Sequence, residues 1–308
     1  MHRYFGGYYA YDLFNLIGYY LMIFTNLLYY KSKKDAMSLF SEKLIYASSK
    51  SQKDLGTVVQ AFLFVIETVL ASICIDQSTR FNGSFGEMVG TGRNYFALLI
   101  FAPIFISLFS IVLVINPIKE LDVITMGLPV FLFFVKLACF FNGCCWGIPW
   151  EHGPYNYHHG HPGNQVPIQL FEALFAALIL LILLIYRKKA KPGTIYPMYL
   201  TLYSFTRFFS EFFAAAYPDV LGPFNMYQIL CAIGFVVGII LLIFMNIFGE
   251  RISDFFEKPH KKFHLKMLQK EEQQAIMIAE AKAKAEAEEI ERKEKVRLAR
   301  EKAKARKE

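Results

Sequence analysis

A small set of polar side chains stands inside strongly apolar surroundings and could do chemistry there: Lys136, Asn142, Gln169, Glu172, Tyr203, Arg207 and Glu211. An ionisable group in hydrocarbon is costly unless it faces a partner or a water-filled cavity, so each one marks a candidate site. Tyr203, Arg207 and Glu211 recur every fourth residue, which puts them on one face of a helix. Two cations, two carboxylates and several amides at one depth suit an anionic headgroup. The competing reading is an ion-pair network that only holds helices together.

The cysteines form a second constellation. Cys74 and Cys231 stand alone in apolar runs and read as small core residues. Cys139, Cys144 and Cys145 fall within Cys-Phe-Phe-Asn-Gly-Cys-Cys-Trp-Gly, ahead of a loop carrying His152, His158, His159 and His161. A soft-metal site is conceivable, but structural zinc sites usually space their ligands Cys-x-x-Cys, and adjacent cysteines rarely converge. The cluster therefore reads as a packed, glycine-flanked turn with surface histidines, and no metal is assigned.

The elements that must position these residues are membrane helices. Hydrophobic residues make up 55% of the chain and charged residues only 19%, which is hard to reconcile with a soluble surface. Apolar runs of about 20 residues, enough to cross roughly 30 Å of hydrocarbon, recur along the chain. Spans are expected near residues 10 to 30, 55 to 76, 94 to 115, 123 to 145, 167 to 186, 194 to 213 and 226 to 247. The fold class is thus all-α, a polytopic membrane protein of about seven transmembrane helices. Residues 1 to 10 are aromatic and lack the order of a cleavable signal peptide.

Orientation follows from the basic loops. Lys31, Lys33, Lys34, Lys43, Lys50 and Lys53 lie in one loop, and Arg187, Lys188, Lys189 and Lys191 in another. Both belong on one side with residues 116 to 122 and the C-terminal tail, and the opposite side has only Arg3, Arg80 and Arg93. The positive-inside rule then places the N-terminus outside and the C-terminus in the cytoplasm. The polar residues of the fourth, fifth and sixth spans all fall in the outer half of the membrane.

Residues 1 to 249 form the membrane domain, and 250 to 308 a charged helical tail. From Lys266 onward the tail is almost entirely Ala, Glu, Lys, Arg and Gln, with many pairs three or four apart. Ile276, Ala279, Ala283 and Ile290 make a sparse near-heptad stripe, too small to insist on a coiled coil. A solvated helix is the simpler reading. Its basic excess could hold it near anionic lipid, and a cytoplasmic partner is possible. No nucleic acid is expected.

Three motifs occur in order: Asn142-Gly143 followed by Trp146-Gly147; Pro167-Ile168-Gln169-Leu170-Phe171-Glu172-Ala173; and Tyr203-x-x-x-Arg207-Phe208-x-x-Glu211-Phe212. Together they resemble the prolipoprotein diacylglyceryl transferase family over about residues 90 to 213. The resemblance implies an enzyme of the bacterial cytoplasmic membrane that moves diacylglyceryl from phosphatidylglycerol to the lipobox cysteine of a lipoprotein precursor, recognised by its signal peptide. It implies no metal or organic cofactor. Under it Arg207 contacts phosphate, Asn142 donates a hydrogen bond, Glu211 orients Arg207, Glu172 and Gln169 shape the site, Tyr203 donates to phosphate, and Lys136 and Gly143 belong to the binding region.

The pattern departs from that family at several places. Lys136 replaces an arginine, which keeps the charge but loses the planar fork. Cys139 and Cys144 stand for an asparagine and a glutamate, Tyr95-Phe96-Ala97 for a His-Gly-Gly element, Val166 for a histidine, and Ala214 for a second arginine. Some branches of the family carry a Gly-Cys-Cys-x-Gly turn. Two other functions compete: an idle membrane protein that binds lipid or peptide and recruits a partner through its tail, and a metal-handling protein using the cysteines and histidines.

Overall fold

The computed structural model describes residues 10–32, 95–156, 163–215 and 219–305, with isolated helical positions between 41 and 66. Most of the expected second span, Cys74 and three of the loop histidines lie outside the described residues. Helices dominate: α1 (Ala10–Ser32), α2 (Tyr95–Val112), α3 (Pro117–Thr125), α4 (Leu128–Asn142), α5 (Ile168–Tyr186), α6 (Ile195–Ser210) and α7 (Met226–Ala305). Two short antiparallel hairpins complete the described fold, β1 (Tyr155–Asn156) with β2 (Gly163–Asn164) and β3 (Asp219–Leu221) with β4 (Phe224–Asn225). The chain divides into two compact units, Met1–Glu257 and Lys258–Glu308.

Within the first unit, α5 displays how a membrane helix sorts its faces. Gln169, Glu172, Ala173, Ala176, Ile179 and Leu183 are buried, at spacings of three and four, whereas Leu174, Leu178, Leu181 and Ile185 are exposed. Every polar or small side chain of that buried set faces the neighbouring helices, joined further along by Ile179 and Leu183, while the outward face is large and aliphatic, the reverse of a water-soluble helix. The apolar part of α7 repeats this with exposed Ile233, Val236, Ile240, Ile243 and Ile247. Such a belt belongs in hydrocarbon. Among the described residues three helical stretches are long and apolar enough to cross a membrane, Pro117–Asn142, Ile168–Tyr186 and Met226–Ile290. Leu99–Val112 is a shorter apolar helix.

The span expected at 123 to 145 is broken and begins earlier. Residues 116 to 122, expected as a loop, are largely the short buried helix α3, capped by Asn116, whose Oδ1 accepts from the backbone N–H of Ile118 and Lys119. Its junction with α4 passes Gly127, where a Cβ would come within 2.6 Å of the Asn26 side chain on α1. A side chain at 127 would have to displace Asn26 and Met22. Likewise the sixth span ends in α6 at Ser210 and tightens into a 3₁₀ turn, Glu211–Phe213.

Long-range polar contacts gather the basic segments at one end of the bundle. The Asp122 carboxylate accepts from the backbone N–H of Gly193 at 2.6 Å and of Ile195 at 3.0 Å, capping α6 where Thr194 makes no side-chain cap. The Arg187 guanidinium lies 5.1 Å from the centre of the Tyr29 ring. Lys119 pairs with Glu257, and Asn116 Nδ2 donates to Ser253 Oγ at 2.8 Å.

At the other end, residues 146 to 149 thread between two backbone segments. Gly147 bridges Ala214, Ile148 N–H donates to Phe213 O at 2.9 Å, and Val166 N–H donates to Ile148 O at 3.0 Å. A Cβ on Gly147 would meet Val166 O at 2.5 Å and Phe213 O at 2.8 Å. This knot of backbone ties the end of α4 to the start of α5 and the end of α6.

The second unit, taken by itself, is helix as far as Ala305. Its Ile276, Ile278 and Ile290 are exposed along with the charged positions between them, and Glu289 pairs with Lys293 at 2.7 Å. The sparse apolar stripe is uncovered, so the coiled coil finds no support.

Candidate active site

Three helices deliver the charged residues to one place. Lys136 comes from α4, Glu172 from the first turns of α5, and Arg207 from the last turn of α6, with Glu211 opening the 3₁₀ turn that follows. Glu172 is shared: Lys136 Nζ pairs with its Oε2 and an Arg207 nitrogen with its Oε1. The other terminal nitrogen of Arg207 pairs with Glu211. Side-chain exposure is 12% for Lys136, 15% for Arg207, 5% for Glu172 and 0% for Glu211, so the array is desolvated and balanced, two positive charges against two negative.

Neutral groups complete it. Ser210 Oγ donates to Glu172 Oε1 at 3.1 Å, and Asn225 Nδ2 donates to Glu211 Oε2 at 3.1 Å. Asn225 is itself locked, its N–H donating to Gln228 Oε1 at 3.0 Å while its Oδ1 accepts from Gln228 N–H at 2.9 Å. A small cavity opens beside the cluster, and Leu132, Phe175, Tyr203 and Thr206 line it with Lys136, Glu172 and Arg207. Tyr203 is buried against Tyr95, with ring centres 5.0 Å apart, and Tyr95 hydrogen-bonds to Tyr199.

Of the residues singled out from sequence, Lys136, Glu172, Tyr203, Arg207 and Glu211 meet around this array. Gln169 does other work: its Nε2 donates to the Cys144 carbonyl at 2.6 Å and holds the cysteine turn. Asn142 ends α4, where its side chain bonds Cys144. Gly143 is the left-handed residue that ends the helix, with φ 72°. Its N–H reaches Phe140 O and that of Cys144 reaches Cys139 O, the paired bonds of a Schellman cap. Ser210 and Asn225 were missed. Ser210 sits three residues past Arg207 on the same helix and could have been found by extending that face; Asn225 reaches Glu211 from a separate hairpin and left no local signal.

The adjacent cysteines do converge, contrary to the reading from spacing. Cys145 has a left-handed backbone, φ 55°, which together with Gly143 turns the chain back on α4. The three sulfurs of Cys139, Cys144 and Cys145 all lie within 4.8 Å of one another, with Cys145 Sγ 4.0 Å from Cys139 Sγ. The Cys145 thiol is directed at Cys139 Sγ, and the Cys144 thiol donates to the Cys139 carbonyl at 3.7 Å. His152 stands apart, its ring edge-on to Trp150 at 6.3 Å.

The sequence profile of the prolipoprotein diacylglyceryl transferases matches residues 87–244, a stretch that contains every one of these residues. The chain belongs to that family. A phosphatidylglycerol–prolipoprotein diacylglyceryl transferase of Chlorobaculum tepidum is 33% identical over 171 residues, 53% of this chain and 58% of that protein. The enzyme of the same name from Clostridioides difficile is 32% identical over 136 residues, 43% and 52% of the two chains. That of Sinorhizobium medicae is 37% identical over 101 residues, 30% and 35%. The chain thus matches between about a third and three-fifths of the length of these family members. The shared region holds the charged array and the cysteine turn, and the charged tail lies outside it.

Proposed function

We propose that this chain is a phosphatidylglycerol–prolipoprotein diacylglyceryl transferase of the bacterial cytoplasmic membrane, acting at the outer end of α4, α5 and α6. The observation that supports it most directly is the carboxylate of Glu172 held between Lys136 and Arg207 beside a cavity. An array of two cations and two carboxylates is neutral, and a neutral array has little pull on an anion. One added proton on Glu172 changes that. With the carboxylate discharged, Lys136 and Arg207 carry uncompensated positive charge in a desolvated place, where it attracts phosphate strongly.

The reaction supplies that proton. The lipobox thiol gives its proton to Glu172, and its sulfur attacks the glyceryl carbon that bears the phosphate. A carbon–sulfur bond forms as the carbon–oxygen bond breaks, and glycerol phosphate departs with the electron pair. Arg207 and Lys136, released by the protonated Glu172, turn to the departing phosphate, and Tyr203 on the cavity wall donates a further hydrogen bond. Glu211, anchored by Asn225, keeps one side of the guanidinium fixed while the other side changes partner. The alternative of an idle binder has less support, because the relatives carry the transferase name.

The test is transfer of labelled diacylglyceryl from phosphatidylglycerol to a lipobox peptide by the full chain, beside complementation of a strain lacking the transferase. Transfer that depends on the peptide thiol is the expected result. A folded, inserted protein that neither transfers nor complements would overturn the assignment.

A further inference from the structure

We propose that Cys139, Cys144 and Cys145 form a three-thiolate site for one soft d¹⁰ metal ion of the zinc class, with its fourth coordination position open on the side of the exposed Cys145. Three observations carry this, none of them the transferase assignment. First, the sulfurs are already gathered: all lie within 4.8 Å of one another and one pair stands at 4.0 Å. Thiolates bound tetrahedrally at about 2.3 Å from zinc stand about 3.8 Å apart, so closing on an ion needs movements of well under the length of a bond.

Second, the backbone is built to gather them. Neighbouring residues in an extended chain point their side chains to opposite sides. Here Gly143 and Cys145 both take positive φ, 72° and 55°, and a positive φ at a non-glycine residue carries a conformational cost that the surroundings must offset. The Schellman cap and the bond from Gln169 Nε2 to the Cys144 carbonyl fix the turn in that form. The glycine angle serves the helix cap; the angle left to explain is that of Cys145, the residue whose sulfur is brought back to 4.0 Å from that of Cys139.

Third, the ligand count and exposure suit an open site. Among the described residues the group holds three ligands and no fourth. Cys139 is buried, Cys144 half-buried and Cys145 exposed, so the cluster is anchored on one side and accessible on the other. Structural zinc sites are closed by four protein ligands, and three with one open position is the pattern of sites that take a substrate atom. Soft sulfur ligands select zinc or monovalent copper over magnesium or calcium.

The open position suits a substrate thiol, a consequence that rests on the proposed transferase reading. A thiol that coordinates the ion loses its proton outright. An ion held by Cys139, Cys144 and Cys145 would take up the incoming sulfur, whose displaced proton would pass to Glu172 as in the reaction above, with no electron changing hands. The chemistry the ion would supply is to keep that sulfur ionised while it reacts; a thioether product would be a weaker ligand.

Full-length protein in detergent, reduced and freed of metal, is titrated with cobalt chloride as a spectroscopic stand-in for zinc. One equivalent producing an intense sulfur-to-cobalt charge-transfer band, displaced by zinc, is expected. Cys139→Ser and Cys145→Ser should each lose most of that band. Since either could also misfold, iodoacetamide labelling of the unaltered protein gives a second reading: zinc should protect all three cysteines from alkylation. Absence of the band and of protection, or recovery of a Cys139–Cys145 disulfide that reductant opens without metal uptake, overturns the site. Addition of a single-cysteine lipobox peptide should then shift the cobalt spectrum where its serine counterpart does not. A band that the peptide leaves unchanged overturns the open position, and because none of these readings needs turnover, a failed transferase assignment leaves the metal result standing.

Discussion

Glu172 on α5 is ion-paired to Arg207 on α6 through Oε1, the oxygen that also accepts from Ser210 Oγ at 3.1 Å. That contact closes the α5–α6 interface and at the same time occupies the guanidinium that the proposed reaction would turn to phosphate. A buried pair of this kind adds little net stability over an apolar one, but removing one partner leaves the other unsatisfied.

Replacing Arg207 therefore tests function only if the fold is tracked separately. Arg207→Lys retains a charge for Glu172 and Glu211 but cannot bridge both with one planar group, so insertion should be kept and transfer impaired. Arg207→Ala should lose about 100-fold or more in turnover, on the scale of other lost electrostatic donors. It should also lower stability by about 3–5 kcal/mol, read from thermal unfolding in detergent, because two buried carboxylates lose their cation. A well-folded Arg207→Ala protein that transfers at the parent rate would place the site elsewhere.

The two carboxylates should separate in their effects. Glu172→Gln cannot accept the thiol proton, so transfer should nearly vanish even when lipid still binds. Glu211→Gln keeps the hydrogen bond with Asn225 and loses only the orientation of Arg207, and should be the milder of the two. Single-turnover transfer measured alongside lipid binding distinguishes them, and equal losses at both positions would argue against Glu172 as the base.

Gly147 should be intolerant for a purely steric reason. With Val166 O 2.5 Å and Phe213 O 2.8 Å from where its Cβ would stand, Gly147→Ala must push apart two backbone segments. A cost of about 1–3 kcal/mol is expected, visible as a lower midpoint of thermal unfolding. Activity should fall with it, since those segments lead into Glu172 and out of Glu211.

Orientation is open to direct measurement. A reporter placed near Gly160 should read external and one fused after Glu308 cytoplasmic, as the lysine and arginine bias of the basic loops requires. A cytoplasmic reading at Gly160 would remove the array from the outer leaflet.

Deleting residues 266 to 308 should leave insertion and lipid transfer largely intact. The family match ends at residue 244, and Ile276, Met277, Ile278 and Ile290 of the tail are exposed. Failure to recover folded protein after this deletion would mean that the tail contributes to the membrane domain.

Apolar length and charge placement settled much from sequence alone, because hydrocarbon tolerates so few solutions: backbone groups must be satisfied within helices, and an ionisable residue must find a partner. Glu172, Arg207, Glu211 and Lys136 were legible as candidates on that ground, and they meet in one ion-paired array; the order of three motifs pointed to the family. Which partner each residue takes was decided in three dimensions. Asn225 reaches Glu211 from a hairpin distant in sequence, Gln169 turns from the charged array to the Cys144 carbonyl, and residues 116 to 122 fold into a buried helix whose Asp122 caps α6. The convergence of Cys144 and Cys145 depended on two backbone angles, and whereas glycine at 143 signals a left-handed turn, no residue-type preference encodes the positive φ of Cys145.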